Sequence, residues 1–219
     1  MRSPGASAAG PAGQEPRADP ELHADPERHA DLELRAEFRL RPGIMVLTGG
    51  QTGVDTLAVR AALGAGLPVH AVFPHGFRQE DGPLTPERRA ELHGAVLHQL
   101  ASTGFAQRTW TCVSLADAVL LLDPAGGEGC QATVRAAHRL ERPLLDLTGA
   151  PVPAGGAGGT GVAGDVGSAV RSFLSVNGPQ VLMIAGCRGS LLGGQTEAVR
   201  AQLAAVATVL VEWQEERLR

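Results

Sequence analysis

Ile44 to Leu47 is an uninterrupted apolar run that ends in a glycine-rich loop. Beyond the loop, Val54, Leu57, Ala58, Ala61 and Ala62 recur at helical spacing before Gly64 and Gly66. That pattern predicts an amphipathic helix closed by glycines. The next apolar run spans residues 69–73, so the segment reads strand, loop, helix, strand, the opening of a parallel sheet. The alternation continues with a polar loop over 74–84 and helices over about 86–99 and 107–115. Residues 118–122 form a continuous apolar strand of the kind covered on both faces. A loop over 123–129, a helix over 131–140 and a strand over 143–147 follow. A helix over 166–176, a strand over 181–185, a loop over 186–194 and a last helix from Thr196 complete the pattern. Alternating strands and helices predict an α/β class: a Rossmann-like three-layer domain with a mostly parallel sheet.

Two stretches fall outside this texture. Residues 1–17 are rich in Ala, Gly, Pro and Ser, and residues 18–41 carry an imperfect repeat of period six, ADPELH, ADPERH, ADLELR, AEFRLR. Six does not match a helical stripe, so 1–42 is expected to be a disordered low-complexity leader. Residues 43–219 are then one ligand-binding domain, with a flexible Gly/Ala/Pro loop over 149–164. GGQT occurs at 49–52 and again at 193–196, each time before a helix. The flanks do not match, so shared helix-start composition explains it better than duplication.

Composition narrows the function classes. Aromatics make up 3% of the residues and none is Tyr, so few platforms exist on which single-stranded nucleic acid would stack. Net charge is −4 with no basic stripe, which argues against a nucleic-acid partner. No apolar run approaches the ~18 residues of a membrane span. Three cysteines without a CxxC pair, and no apolar leader segment, point to the cytoplasm. The sequence contains no lysine. An anion clamp therefore falls to arginine, whose planar fork suits phosphate and oxoanions.

Three strand-to-helix loops carry the candidate chemistry. In Gly49-Gly50-Gln51-Thr52-Gly53, glycines allow close backbone approach and the following helix start favours an anion. Thr52 offers a hydroxyl, and Asp55 sits in the first turn, where a carboxylate suits the dipole. The loop Pro74–Gly82 follows the next strand and brings Arg78, Glu80, Asp81 and Gly82 to the same sheet edge, where ligands of open α/β sheets bind. An exposed charged turn fits Asp81-Gly82 equally well. Gly126-Gly127-Glu128 repeats the strand–loop–helix arrangement, and Arg188 ends the last strand. By spacing alone Arg108 reads as a helix-surface arginine. Cys130 reads as a small buried residue rather than a lowered-pKa thiol, and no catalytic set or metal-ligand spacing is evident.

Taken in order, LTGGQTGVDTLAVRAALGAGLP, FPHGFRQEDGPL, QRTWTCVSLADAVLLLD, GGEGCQATVRAAHRLERPLL and VLMIAGCRGS resemble the putative molybdenum carrier family. That family is a Rossmann-like group related to the lysine-decarboxylase-like (LOG) proteins, and the resemblance spans about 44–190. It implies a carrier or binding protein for molybdenum cofactor, molybdate or a related phosphorylated ligand. By motif match the ligand site would hold Gly49, Gly50, Gln51, Thr52, Gly53, Asp55, Glu80, Asp81, Gly82, Gly126 and Gly127. Arg108 and Thr109 match the family's Arg-Thr pair, and Ser114 and Asp117 its Ser-Asp. The chain departs from the pattern at Cys112, Glu128 and Cys187, and lacks the Tyr beyond the EDG loop. A homo-oligomer, and a molybdoenzyme or cofactor-biosynthesis partner, are compatible with the resemblance. Two alternatives stay open: a phosphoribohydrolase-like nucleotide-processing enzyme, and a nucleotide-signal sensor that meets partners through 1–42.

Overall fold

The computed structural model describes residues 43–123, 125–148 and 163–219, with side chains from residue 166 in the last segment. The expectations for 1–42 and for nearly all of 149–164 lie outside the described residues. The strands are β1 (Met45–Thr48), β2 (Val69–Phe73), β3 (Arg78–Gln79), β4 (Gly82–Pro83), β5 (Val96–Gln99), β6 (Ala118–Leu122), β7 (Leu144–Asp146) and β8 (Val181–Gly186). The helices are α1 (Val54–Gly64), α2 (Pro86–Glu91), α3 (Phe105–Leu115), α4 (Glu128–Arg139), α5 (Ala163–Asn177), α6 (Gly189–Leu192) and α7 (Thr196–Leu218).

Six strands form one parallel sheet in the order β5-β2-β1-β8-β6-β7, and β3 and β4 make a small separate antiparallel ribbon. The innermost strands are the uninterrupted apolar runs, and β1, β2 and β6 are buried at every residue. Helices cover the sheet in two groups: α7 packs on α1 and α5, and α3 packs on α4. One apolar core runs from Ile44 to Leu210 among the described residues. The fold class is therefore the Rossmann-like α/β arrangement that the pattern predicts.

One expected element is replaced. The helix over 86–99 stops at Glu91, and 96–99 is instead the edge strand β5. Thr85 and Pro86 start α2 in the usual way, the Thr85 hydroxyl accepting from the Arg88 N–H at 3.4 Å. Gly94, at φ +100°, then turns the chain, and β5 forms because β2 offers it a parallel partner, His70 opposite Val96. A four-residue strand stabilised by pairing leaves little local signal. The expected loop over 186–194 also differs, holding α6 and a 3₁₀ turn over Gly193–Gln195.

The topology positions the site. The last strand, β8, enters the sheet between β1 and β6. The carboxyl ends of three neighbouring strands thus feed the loops 49–53, 123–127 and 186–188, which lie side by side. This is the sheet edge where α/β domains bind ligands.

Candidate functional site

A cleft of about 390 Å³ opens at this edge, lined by Gln51 and Asp55 of the first loop and helix, Arg108 and Thr109 of α3, and Gly127 and Glu128 of α4. Arg188, Cys187 and Gly186 of the β8 loop close it, and Cys130, Thr133 and Arg135 continue the α4 wall. Gly127 is the N-cap of α4 and no side chain caps that helix. The Cys130 N–H donates to the Gly127 carbonyl at 3.1 Å, while the N–H groups of Glu128 and Gly129 precede the helix's own acceptors, so this end carries the partial positive charge that favours an anion.

Arg108 is the central cation. It is 8% exposed, contrary to the surface position its spacing suggests. Its guanidinium lies on the glycine loop: a Cβ at Gly49 would sit 1.3 Å from Nη1. Glycine at 49 therefore makes room for Arg108. Nη1 reaches Oδ2 of Asp55 at 3.5 Å, while the buried Nε has no hydrogen-bond partner. Oδ2 of Asp55 also accepts from the Gln51 N–H at 3.1 Å. Burial pushes the Asp55 carboxyl up to about 6, with Arg108 and the N–H groups of Gln51 and Gly49 pulling the other way.

The glycine loop does a different job from the one its composition suggests. Gly50, at φ +66°, packs on the Phe73 ring, where a Cβ would come within 2.5 Å. Gly53, at φ +79°, lets the β8 loop cross it, since a Cβ there would meet the Cys187 carbonyl oxygen at 2.5 Å. The Val54 N–H donates to that same carbonyl at 3.1 Å. The start of α1 is thus occupied by protein, and the uncapped helix start facing the cleft belongs to α4. Thr52 and Gly53 line a smaller cavity, about 250 Å³, behind the loop.

Glu80 ties the walls together. It accepts from the Thr52 hydroxyl, from the Ser190 N–H at 3.0 Å and from the Ser190 hydroxyl at 2.5 Å, and Arg188 Nε lies 3.6 Å away. Burial works to raise its carboxyl, but the Ser190 and Thr52 hydrogen bonds outweigh that and hold it below its ordinary value. Gln51 accepts from the Glu80 N–H at 2.7 Å, and buried Gln79 donates to the Gly50 carbonyl at 2.8 Å. Gln79 and Ser190 lie inside the motif stretches, but a lone amide and a lone hydroxyl carry no distinct role before the loops meet.

Of the expected residues, Gln51, Asp55, Arg108, Thr109, Gly127 and Arg188 line the cleft. Gly49, Gly50 and Glu80 shape it from behind. The remaining ones are placed elsewhere. Asp81 pairs with Arg88 on α2 through bonds of 2.6 and 2.5 Å, and Gly82 belongs to the β3–β4 ribbon. Gly126 is an exposed turn residue at φ +68°. Asp117 accepts from the N–H groups of Gln180 and Val181 at the amino edge of the sheet, and the Ser114 hydroxyl donates to the Thr111 carbonyl near that same edge. These two carry strand and helix ends, away from the cleft. Arg78 lies over the Phe105 ring, 5.8 Å from its centroid. Cys112 is buried with its thiol toward the Thr48 carbonyl, beneath the loop. Burial pushes the Cys187 thiol up to about 11 and, with Asp123 nearby, raises that of Cys130 as well. Among the described residues no group of three or more His, Cys, Asp or Glu is arranged to hold a metal ion.

Residues 46–207 match the model of the circularly permutated YpsA SLOG family. The chain belongs to that family. A crystal structure from Syntrophus aciditrophicus SB, of a protein named Putative molybdenum carrier protein, is similar with a TM-score of 0.61 at 22% identity. The match covers 76% of this chain and 96% of that one, and at that identity it speaks for the fold. No protein of curated function matches the chain.

Proposed function

We propose that this SLOG protein binds a small phosphorylated or oxoanionic ligand in the cleft and acts as its carrier, with molybdate or molybdenum cofactor as cargo. One observation carries the reading: a guanidinium over nine-tenths buried, with an unpartnered donor, lines a cleft that also holds an uncapped helix start. A buried charge with unused donors is costly unless something accepts from it. Arg188 and Arg135 add exposed cations at the rim. The donor set fits an oxoanion, because N–H and guanidinium groups bind its oxygens where a bare metal ion would need carboxylates or thiolates. A volume near 390 Å³ lies at the small end of the roughly 300–1,000 Å³ usual for such sites. The carrier name of the Syntrophus aciditrophicus neighbour agrees with this reading.

The phosphoribohydrolase alternative calls for a carboxylate acid/base where Thr133 stands, and the Thr133 hydroxyl donates to the Gly129 carbonyl at 3.1 Å. Native mass spectrometry with elemental analysis of the purified full chain tests the proposal, run beside an Arg135→Gln/Arg188→Gln double variant that leaves the core untouched. Molybdenum or a pterin that accompanies the wild type, and is depleted in the variant, is the expected result. A bound nucleotide would replace the carrier reading with a nucleotide sensor, and release of free base from nucleoside monophosphates would replace it with the hydrolase. Wild-type protein that binds neither added molybdate nor added cofactor would overturn it.

A further inference from the structure

The pairing of Arg108 with Asp55 has a consequence for the ligand, resting on the anion-binding reading above. We propose that Arg108 is shared between the Asp55 carboxylate and the ligand's oxoanion, so that binding in the cleft is coupled to uptake of a proton by Asp55.

The geometry leaves the guanidinium only loosely committed. A charge-assisted N–H···O bond is usually about 2.7–2.9 Å long, whereas Nη1 stands 3.5 Å from Oδ2 and Nε has no partner. A guanidinium offers five N–H donors. Arg108 lines the cleft, so an oxoanion there can compete with Asp55 for its donors. Asp55 keeps its bond from the Gln51 N–H when it loses its share of Arg108.

The surrounding charges decide where the proton goes. From α3, Asp55 faces Arg108; from α4, Cys130; from the β8 loop, Cys187; and Asp123 at the end of β6 lies close to both thiols. Both thiols stay protonated near neutral pH, since each is raised by burial. Asp123 accepts from the N–H groups of Gly126 and Gly127 at 2.9 and 3.3 Å. Glu128, Arg135 and Arg188 line the same cleft farther out, exposed to solvent. The buried centre thus has two carboxylates and one guanidinium. A dianion that takes the guanidinium leaves Asp55 a buried charge without its counter-charge, and protonation removes that penalty.

The sign comes from linkage. In the free protein the Asp55 carboxyl is pushed up to about 6 by burial, against the pull of Arg108. Diverting Arg108 to the ligand weakens that pull, so the bound value is higher still. Affinity is then flat below the free value and falls by up to about tenfold per pH unit above it, until the bound value is passed.

Titration calorimetry on the full chain tests this, with sodium molybdate and sodium sulfate as probes, because both remain dianions near neutral pH. At about pH 7, buffers of different ionisation enthalpy report the protons exchanged. The wild type is expected to take up a proton on binding, approaching one per anion. Asp55→Asn is expected to take up none and to bind more tightly than wild type at about pH 8, by roughly tenfold, because Arg108 is released from its competitor. A merely structural Asp55 would give the variant weaker binding, and a misfolded variant could not gain affinity. Wild-type binding without proton uptake overturns the coupling and leaves the anion site standing. Absence of binding to either anion, in wild type and variant alike, overturns the anion site and the coupling with it.

Discussion

At the scale of single residues, glycines divide by what surrounds them. A Cβ at Gly186 would lie 2.1 Å from the Leu122 carbonyl oxygen and 2.6 Å from Val54, whereas one at Gly129 would meet nothing within 4 Å. The first contact is with a neighbouring strand's backbone, which cannot move aside without opening the β6–β8 ladder. Gly186→Ala is therefore expected to destabilise by about 3 kcal/mol or more. Gly129→Ala, in the first turn of α4, is expected to stabilise by roughly half a kcal/mol through helix propensity. Urea midpoints of the two variants check both signs. Equal destabilisation would mean that the β8 crossing is looser than its geometry indicates. Arg108 and Gly49 form a similar pair, the glycine existing for the arginine's sake, which no reading of either residue alone discloses.

Between elements, Glu80 connects three segments distant in sequence: the glycine loop through Thr52, the ribbon loop that carries it, and the start of α6 through Ser190. Glu80→Ala removes acceptors from three donors at once. The two loops should then loosen together, with amide exchange over 49–53 and 186–192 rising at least about tenfold, while the α7 amides stay protected. Exchange confined to residues next to position 80 would show that the tie is local. The lowered carboxyl sets the pH sign: the stabilisation is present above the ordinary glutamate value and is lost as pH falls through the folded value. Loosening of the same loops in acid, ahead of global unfolding, is thus expected in the wild type and absent from the variant.

For the whole molecule, every member of the buried core among the described residues lies between Ile44 and Leu210. From the low-complexity composition of 1–42, a chain beginning at residue 43 is expected to unfold in one urea transition, within about 0.5 kcal/mol of the full chain. A larger loss would mean that residues 1–42 pack on the domain. Periodicity alone determined the α/β class, the strand runs β1, β2, β6 and β8, and most helices, because solvent exclusion imposes a repeat of two or 3.6 on side chains that are neighbours in sequence. It also marked which loops lie at the carboxyl edge of the sheet. Only the tertiary structure decided the rest. β5 exists because β2 is beside it. The start of α1 is closed because β8 enters the sheet next to β1, leaving the open helix start to α4. Ser114 and Asp117 go to the far edge although they belong to a motif. Arg108, a surface residue by spacing, becomes the buried cation of the cleft. Each of these depends on contacts between residues far apart in the chain, and on the desolvation those contacts bring, neither of which is encoded in any short window of sequence.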